Sequence, residues 1–205
     1  MKGIVSALAV NPAGDGFLAA GTFTRHVGLY AANGCGESLG TFSLRRAEDV
    51  NREIGGQGVT QLLWSPCGRY LYIAERRSDG VMIYDIRVMG QLLGWLRGRD
   101  AKTNQRMRMD LVSVPGADGQ GHEIWAGGND GFMRGWSNPM NTMGPKDPDW
   151  EWKVHDGTCL PSFTVPFSLS LSLSDIRRLG DKRRVPSYRH CGSNVFRPTT
   201  LHRIR

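Results

Sequence analysis

Residues 58–87, GVTQLLWSPCGRYLYIAERRSDGVMIYDIR, constrain the fold more than any other part of the chain. Apolar runs at 59–64, 70–74 and 81–86 are separated by Ser65-Pro66-Cys67-Gly68 and by Ser78-Asp79-Gly80. Proline lacks the N–H that a central strand donates, and glycine tolerates positive φ. Their confinement to the breaks therefore marks turns between strands. Strands this short, meeting at tight turns, predict an antiparallel meander.

The unit recurs upstream at residues 5–31, where Asn11-Pro12-Ala13-Gly14 replaces Ser65-Pro66-Cys67-Gly68. Val5 to Val59 and Tyr30 to Tyr84 are each 54 residues apart. It recurs again at 107–137, with Pro115-Gly116 at the first break and Asp130-Gly131 at the second. Trp136-Ser137 there takes the place of Tyr84-Asp85, 52 residues after Tyr84. A repeated meander with an aromatic-Asp ending predicts propeller blades. The period exceeds the roughly 40–45 residues usual for WD repeats, so each unit must carry a long loop. The expected fold is all-β: a WD-repeat β-propeller, present as a partial fragment of about three blades. Propellers close with about four to eight blades, and the repeats start at residue 3 without a cap. The chain is therefore expected to be part of a larger ring.

Each meander is followed by a candidate outer strand, at 38–44, 91–96 and 150–154. The inner strands are expected at 6–10, 60–64 and 108–113. The polar linker 45–57 reads as a loop that can include a helical turn. Residues 97–105 read as a second polar linker and 138–149 as a turn-rich one. His155-Asp156-Gly157 resembles the start of a fourth unit, but none follows, because Pro161 and Pro166 interrupt the place of an inner strand. The expected domains are thus 1–156, the partial propeller, and 157–205, a non-repeat basic tail. That tail is expected to be either disordered or a misread gene end.

The net charge of +7 invites a nucleic-acid reading, and its location qualifies it. Residues 157–205 hold 9 of the 26 Lys+Arg and 2 of the 19 Asp+Glu, so residues 1–156 hold 17 of each. The basic pI describes the tail and says little about the blades. Cys35, Cys67, Cys159 and Cys191 form no CxxC pair, which points to a reduced compartment. Cys67 reads as a small turn residue. No signal peptide and no apolar run of about 18 residues is present, so neither secretion nor a membrane is expected.

Residues 103–111, TNQRMRMDL, with QLLGWLRGRDAK before them and GFLAAGTFTRHVGLYA upstream, resemble the WD-repeat family of the telomerase Cajal body protein and its fungal counterparts. The resemblance covers about residues 3–156, three blades of the seven the family implies. It implies a nuclear, non-enzymatic propeller that binds small nuclear or Cajal-body RNA and RNP proteins and assists their localisation or assembly. That RNA is telomerase RNA in animal relatives, while fungal relatives are linked to pre-mRNA splicing. The family's other blades are absent here, so binding that needs a closed ring does not carry over.

No GxSxG or HExxH motif is present. His26, His122, His155, His190 and His202 lack metal-ligand spacing. Neither catalytic residues, a metal, a cofactor nor a small-molecule substrate is expected. Asp79-Gly80 and Asp130-Gly131 are expected to be structural turns, each carboxylate stabilising its turn. No His precedes the second unit in Gly56-Gln57-Gly58, so the His-Asp network common in WD repeats is at best partial. Trp64, Tyr84 and Trp136 are expected in the core.

In a blade, the linkers between units and the turn between strands two and three share one rim. Residues 23–26, 45–58, 75–80 and 97–106 hold ten basic and six acidic residues, whereas the opposite rim holds two of each. The candidate RNA contacts are Arg25, Arg76, Arg77, Arg99, Lys102 and Arg106, which could pair with phosphates. The alternative is a solvated rim of mixed charge on a protein-binding WD-repeat adaptor that never touches RNA.

Overall fold

The structure, a computed structural model, describes residues 1–114, 121–154 and 156–157. The expected tail beyond residue 157, the Pro115-Gly116 break and His155 lie outside the described residues. Thirteen strands build three sheets among the described residues. The first is an antiparallel meander of β1 (Val5–Val10), β2 (Leu18–Thr22), β3 (His26–Tyr30) and β4 (Ser38–Ser43). The second is β5 (Val59–Trp64), β6 (Tyr70–Glu75), β7 (Val81–Asp85) and β8 (Gln91–Leu96). The third is β9 (Met109–Ser113), β10 (His122–Gly127), β11 (Phe132–Ser137) and β13 (Trp150–Lys153). Among the described residues these are three consecutive four-stranded blades, an open arc of a nearly all-β propeller.

Two linkers depart from their expected form. Residues 45–57 contain a seven-residue helix, α1 (Glu48–Ile54). Glu48 and Asp49 sit in its first turn and Arg52 in its last, as the helix dipole favours. Val50 and Ile54, four residues apart, bury one stripe in the core. Within the turn-rich linker, β12 (Gly144–Lys146) pairs in parallel with β8, extending the second blade to five strands. The third blade's connection thereby covers the edge of the second, which removes an exposed row of backbone groups. The inner strand of the third blade also starts later than its sequence pattern, at Met109. Met107 is buried beside it, and its carbonyl accepts from Arg99 rather than from a neighbouring strand.

Blades stack through their apolar faces. Val59, Leu62 and Trp64 of β5 join Ala7, Ala19, Val27 and Leu29 of the first blade in one core cluster. A Cβ at Gly21 would lie 2.5 Å from Val59 Cγ1, so glycine is needed there for the close approach. Tyr72, Ile83 and Leu96 join Met109, Ile124 and Trp136 in a second cluster. The expected core aromatics Trp64, Tyr84 and Trp136 are all buried. On the far side of the first blade, Val5, Leu8 and Val10 are exposed. They lie 54 residues before Val59, Leu62 and Trp64.

Polar ties between blades recur at nearly the repeat spacing. Trp64 Nε1 donates to the Ala9 carbonyl (3.0 Å) and Asn11 Nδ2 to the Gly68 carbonyl (3.0 Å). The Gln61 amide donates to the Met109 carbonyl (2.7 Å) and accepts from the Met109 N–H (2.9 Å). Tyr72 and His122 meet at 2.6 Å. Burial, reinforced by Cys67 and Tyr70, pushes the Tyr72 phenol far above its ordinary range. One further tie is ionic. Arg25, in the turn between β2 and β3, donates from Nε (2.8 Å) and Nη2 (2.5 Å) to the two oxygens of Glu75. The Glu75 side chain is 1% exposed and also accepts from the Gly58 N–H.

Removing one member of such a pair strands a buried charge, which costs about 3–5 kcal/mol, whereas replacing both with apolar residues is often neutral. Arg25→Met should therefore lower stability by about that amount, and Arg25→Met/Glu75→Leu should recover most of it. Urea titration of the full chain checks this. A double mutant no more stable than Arg25→Met would show that the pair does not act as a unit.

Candidate nucleic-acid interface

The turns between second and third strands and the linkers between blades lie along one rim, joined by backbone hydrogen bonds. Leu44 N–H donates to Arg25, Gln57 to Arg76, Arg76 to Gly58, and Asp79 to Ile54. Further along, Arg77 N–H donates to Thr103, Arg99 to Asp79, and Asn129 to Asp100. Gly55 and Ser78 form an isolated antiparallel bridge. The rim is thus a continuous band assembled from segments up to about a hundred residues apart, from Arg25 to Asn129.

Its ten basic residues divide by what they touch. Arg25 is committed to Glu75 and also donates to Asn51 Oδ1 (2.5 Å). Arg99 is 1% exposed and donates to the carbonyls of Met107 and Arg108. Burial lowers its pKa to about 10. The structure places both side chains inside the protein, with their donors turned to Glu75, Asn51 and backbone carbonyls. Arg97 is clamped by Asp147 (2.5 and 2.7 Å) and Glu53 (3.1 Å). Lys102, two-thirds exposed, reaches Asp79 at 2.6 Å, a hydrogen bond that raises its pKa. Arg52 pairs loosely with Glu48 and Asp49 along α1.

Five arginines remain in no ion pair among the described residues: Arg45, Arg46, Arg76, Arg77 and Arg106. Arg45, Arg46, Arg77 and Arg106 are exposed and Arg76 is half-buried. Arg77 adopts φ 51° and donates from Nε to Asn104 Oδ1 (2.8 Å), which ties the turn to the second linker. Arg76 lays its guanidinium over Phe23, 5.0 Å from the ring centroid. Arg77 and Lys102 are both tied to the junction of the second blade's turn with the second linker, and Arg106, Arg45 and Arg46 are exposed on the two linkers. On the opposite rim, Arg87 is held by Asp85 at 2.6 Å.

Against known proteins, the chain is 36% identical over 140 residues to guanine nucleotide-binding protein negative regulator 1 of Schizosaccharomyces pombe. It is 31% identical over 137 residues to telomerase Cajal body protein 1 of Rattus norvegicus, and 30% over 145 residues to that of Homo sapiens. Over this span the chain is homologous to the telomerase Cajal body protein and to that fungal protein. These matches cover 67%, 66% and 70% of the chain, but only 31%, 22% and 22% of those proteins. The blades also superpose on the WD40 repeats of RRP9 and on U3-55K, each with TM-score 0.53. Those likenesses cover 77% of this chain at 16% and 15% identity, and 41% and 42% of the two solved chains. No protein-family model matches the chain.

The WD-repeat turns achieve their stability in two ways. Asp130 caps its own turn, accepting from the Phe132 N–H (3.2 Å) and from Arg134 (2.5 and 3.1 Å), while Gly131 supplies φ 79°. Asp79 instead holds Lys102, and Ser78 Oγ accepts from the Gly80 N–H (3.2 Å) in its place. Arg77 rather than Gly80 takes the left-handed conformation. Gly80 is required for space, since a Cβ there would lie 2.2 Å from the Leu96 carbonyl oxygen. Among the described residues no cluster of three or more His, Cys, Asp or Glu could hold a metal. No described helix is long and apolar enough to cross a membrane.

Burial raises the Asp130 carboxyl, but hydrogen bonds from Arg134 and the Phe132 N–H outweigh it, so the net pKa lies below the ordinary value. A depressed folded pKa contributes stability that is complete above the unfolded value, about 3.9, and is lost as pH falls through the folded value. Asp130→Asn should cost about 1–2 kcal/mol at neutral pH. Denaturation midpoints measured against pH should show the variant and the parent converging below the ordinary carboxylate range. A gap that persists in acid would assign the loss to something other than the carboxylate charge.

Proposed function

We propose that this chain is a segment of a nuclear RNA-binding scaffold, whose linker rim engages the phosphates of a small nuclear or Cajal-body RNA. The observation that carries the reading is the set of rim arginines left without acidic partners. An arginine already paired gains little from a phosphate, whereas an exposed unpaired one releases counterions from the RNA when it binds. Arg45, Arg46, Arg77 and Arg106 meet that condition, and they lie on the rim that also carries the family's TNQR segment at residues 103–106. The names of the mammalian relatives, telomerase Cajal body protein 1, support a nuclear RNA context. In this role the protein assists the assembly or localisation of RNP particles and performs no chemistry of its own.

A second reading has its own support. The fission-yeast relative is named as a negative regulator of a guanine nucleotide-binding protein, which favours a WD-repeat adaptor that grips another protein. The two readings differ in what the rim recognises, and salt dependence separates them.

The test uses the full 205-residue chain, so that the basic residues 157–205 add the same RNA-binding background to every variant. Arg45, Arg46, Arg77 and Arg106 changed together to Ala should spare the fold, since exposed substitutions shift stability by only about 0.5 kcal/mol each. Affinity for single-stranded RNA should fall. The slope of log affinity against log salt should flatten by about 0.7 for each phosphate that is no longer neutralised. Arg69→Ala/Arg87→Ala, on the opposite rim, should leave both quantities unchanged. Full RNA affinity in the quadruple variant would remove this rim from the reading. Absence of RNA binding beside tight protein capture would establish the adaptor in its place.

A further inference from the structure

Phe23 is the one large aromatic on the rim among the described residues that is exposed, at 41%. It sits in the β2–β3 turn, where Thr22 and Thr24 join their hydroxyls at 3.1 Å and Thr22 Oγ1 accepts from the His26 N–H. Arg76 covers one side of its ring, so the ring is fixed in place without being buried. In front of it lies an open depression of about 310 Å³ lined by Phe23, Arg25, Arg45, Gly56 and Gln57. That is the small end of ligand pockets, which run about 300–1,000 Å³.

The combination has a chemical meaning. An exposed aromatic face beside cations is how proteins hold an unpaired base, because every base has a π-face and its phosphate is near. Arginine on the rear of the ring strengthens the platform through its own attraction to the π-cloud. Gly56, one of the lining residues, has φ 136°, and a Cβ there would lie 2.2 Å from Glu75 Oε2. Glycine is therefore the residue that keeps backbone and ion pair close together there. Gln57, exposed on the wall, offers one amide acceptor and two donors for a base edge. Arg45, exposed at the opening, can reach the flanking phosphate.

We infer that the Phe23 depression is a subsite for a single unpaired nucleotide, its base stacked on Phe23 and its phosphate met by Arg45. The inference rests on the RNA reading of the rim and sharpens it: the preferred ligand is single-stranded, and one base is read out of its stack. Duplex RNA, whose bases stay stacked on each other, cannot fill the subsite.

The probe is a single-stranded oligoribonucleotide carrying one 2-aminopurine, whose fluorescence is quenched when the base stacks on an aromatic ring. The wild-type 205-residue chain should quench it. Phe23→Leu should lower affinity roughly 5- to 150-fold, the range for unstacking one base. It should abolish the Phe23-dependent quench and leave the salt slope unchanged, since every phosphate keeps its arginine. Phe23→Tyr should restore both affinity and quench. Phe23→Leu binding and quenching like wild type would overturn the subsite. If the arginine quadruple variant still bound more weakly in that case, the broader RNA reading would stand without it. If neither variant changed binding, both would fall together. Should Phe23→Leu fail to fold, the wild-type protein alone remains decisive, because an unquenched probe overturns the subsite.

Discussion

Glu75 is the side chain on which the rim is organised. It stands at the end of β6, almost wholly buried, and a carboxylate there is tolerable only because Arg25 and the Gly58 N–H meet both its oxygens. Each of these partners fixes a different segment. Arg25 brings in the first blade's turn, Gly58 fixes the start of the second blade's inner strand, and Asn51, bound to the same guanidinium, fixes α1. The Asn51 amide in turn donates to the carbonyls of Leu44 and Arg45, closing the linker on itself. One ion pair therefore aligns two blades and positions the surface on which the unpaired arginines stand.

This arrangement separates two uses of positive charge that a count of residues merges. Arg25, Arg97 and Arg134 work inside the protein, each held by carboxylates, and Arg99 works there through backbone carbonyls. Arg45, Arg46, Arg77 and Arg106 have no such occupation among the described residues. The net charge of the blades is zero at the level of sequence. What gives the rim its character is that its acids lie mostly in ion pairs, while several of its bases do not. The positive character of the rim is therefore a matter of which charges are left over after folding.

The strands were legible because the sequence states their ends. Pro12, Pro66, Gly14, Gly68, Gly80 and Gly131 all fall in turns, and the 54- and 52-residue spacing aligned the three meanders. A helical turn in the first linker was legible but the full seven residues of α1 were not, because only Val50 and Ile54 carry its apolar face within a polar run. The strand Gly144–Lys146 was hidden for another reason: its partner, β8, lies some fifty residues earlier, and Gly-Pro-Lys has no strand propensity of its own. The rim itself followed from blade topology, but the identity of its free cations did not. Nothing local in the sequence distinguishes Arg99, buried in the linker, from Arg106 seven residues later on the surface. The sequence signal that could have warned of Arg25 is the lone buried acid at the end of β6, and only the fold places the two together.

The central claim is that the linker rim, rather than the basic tail or the opposite rim, meets RNA. Ultraviolet cross-linking of single-stranded RNA to the full chain, followed by mass spectrometry of the nucleotide-bearing peptides, tests it most directly. Adducts are expected within residues 23–58 and 75–106, with Phe23 among them. Adducts confined to residues 157–205, or to the turns at 11–15 and 65–69, would contradict it.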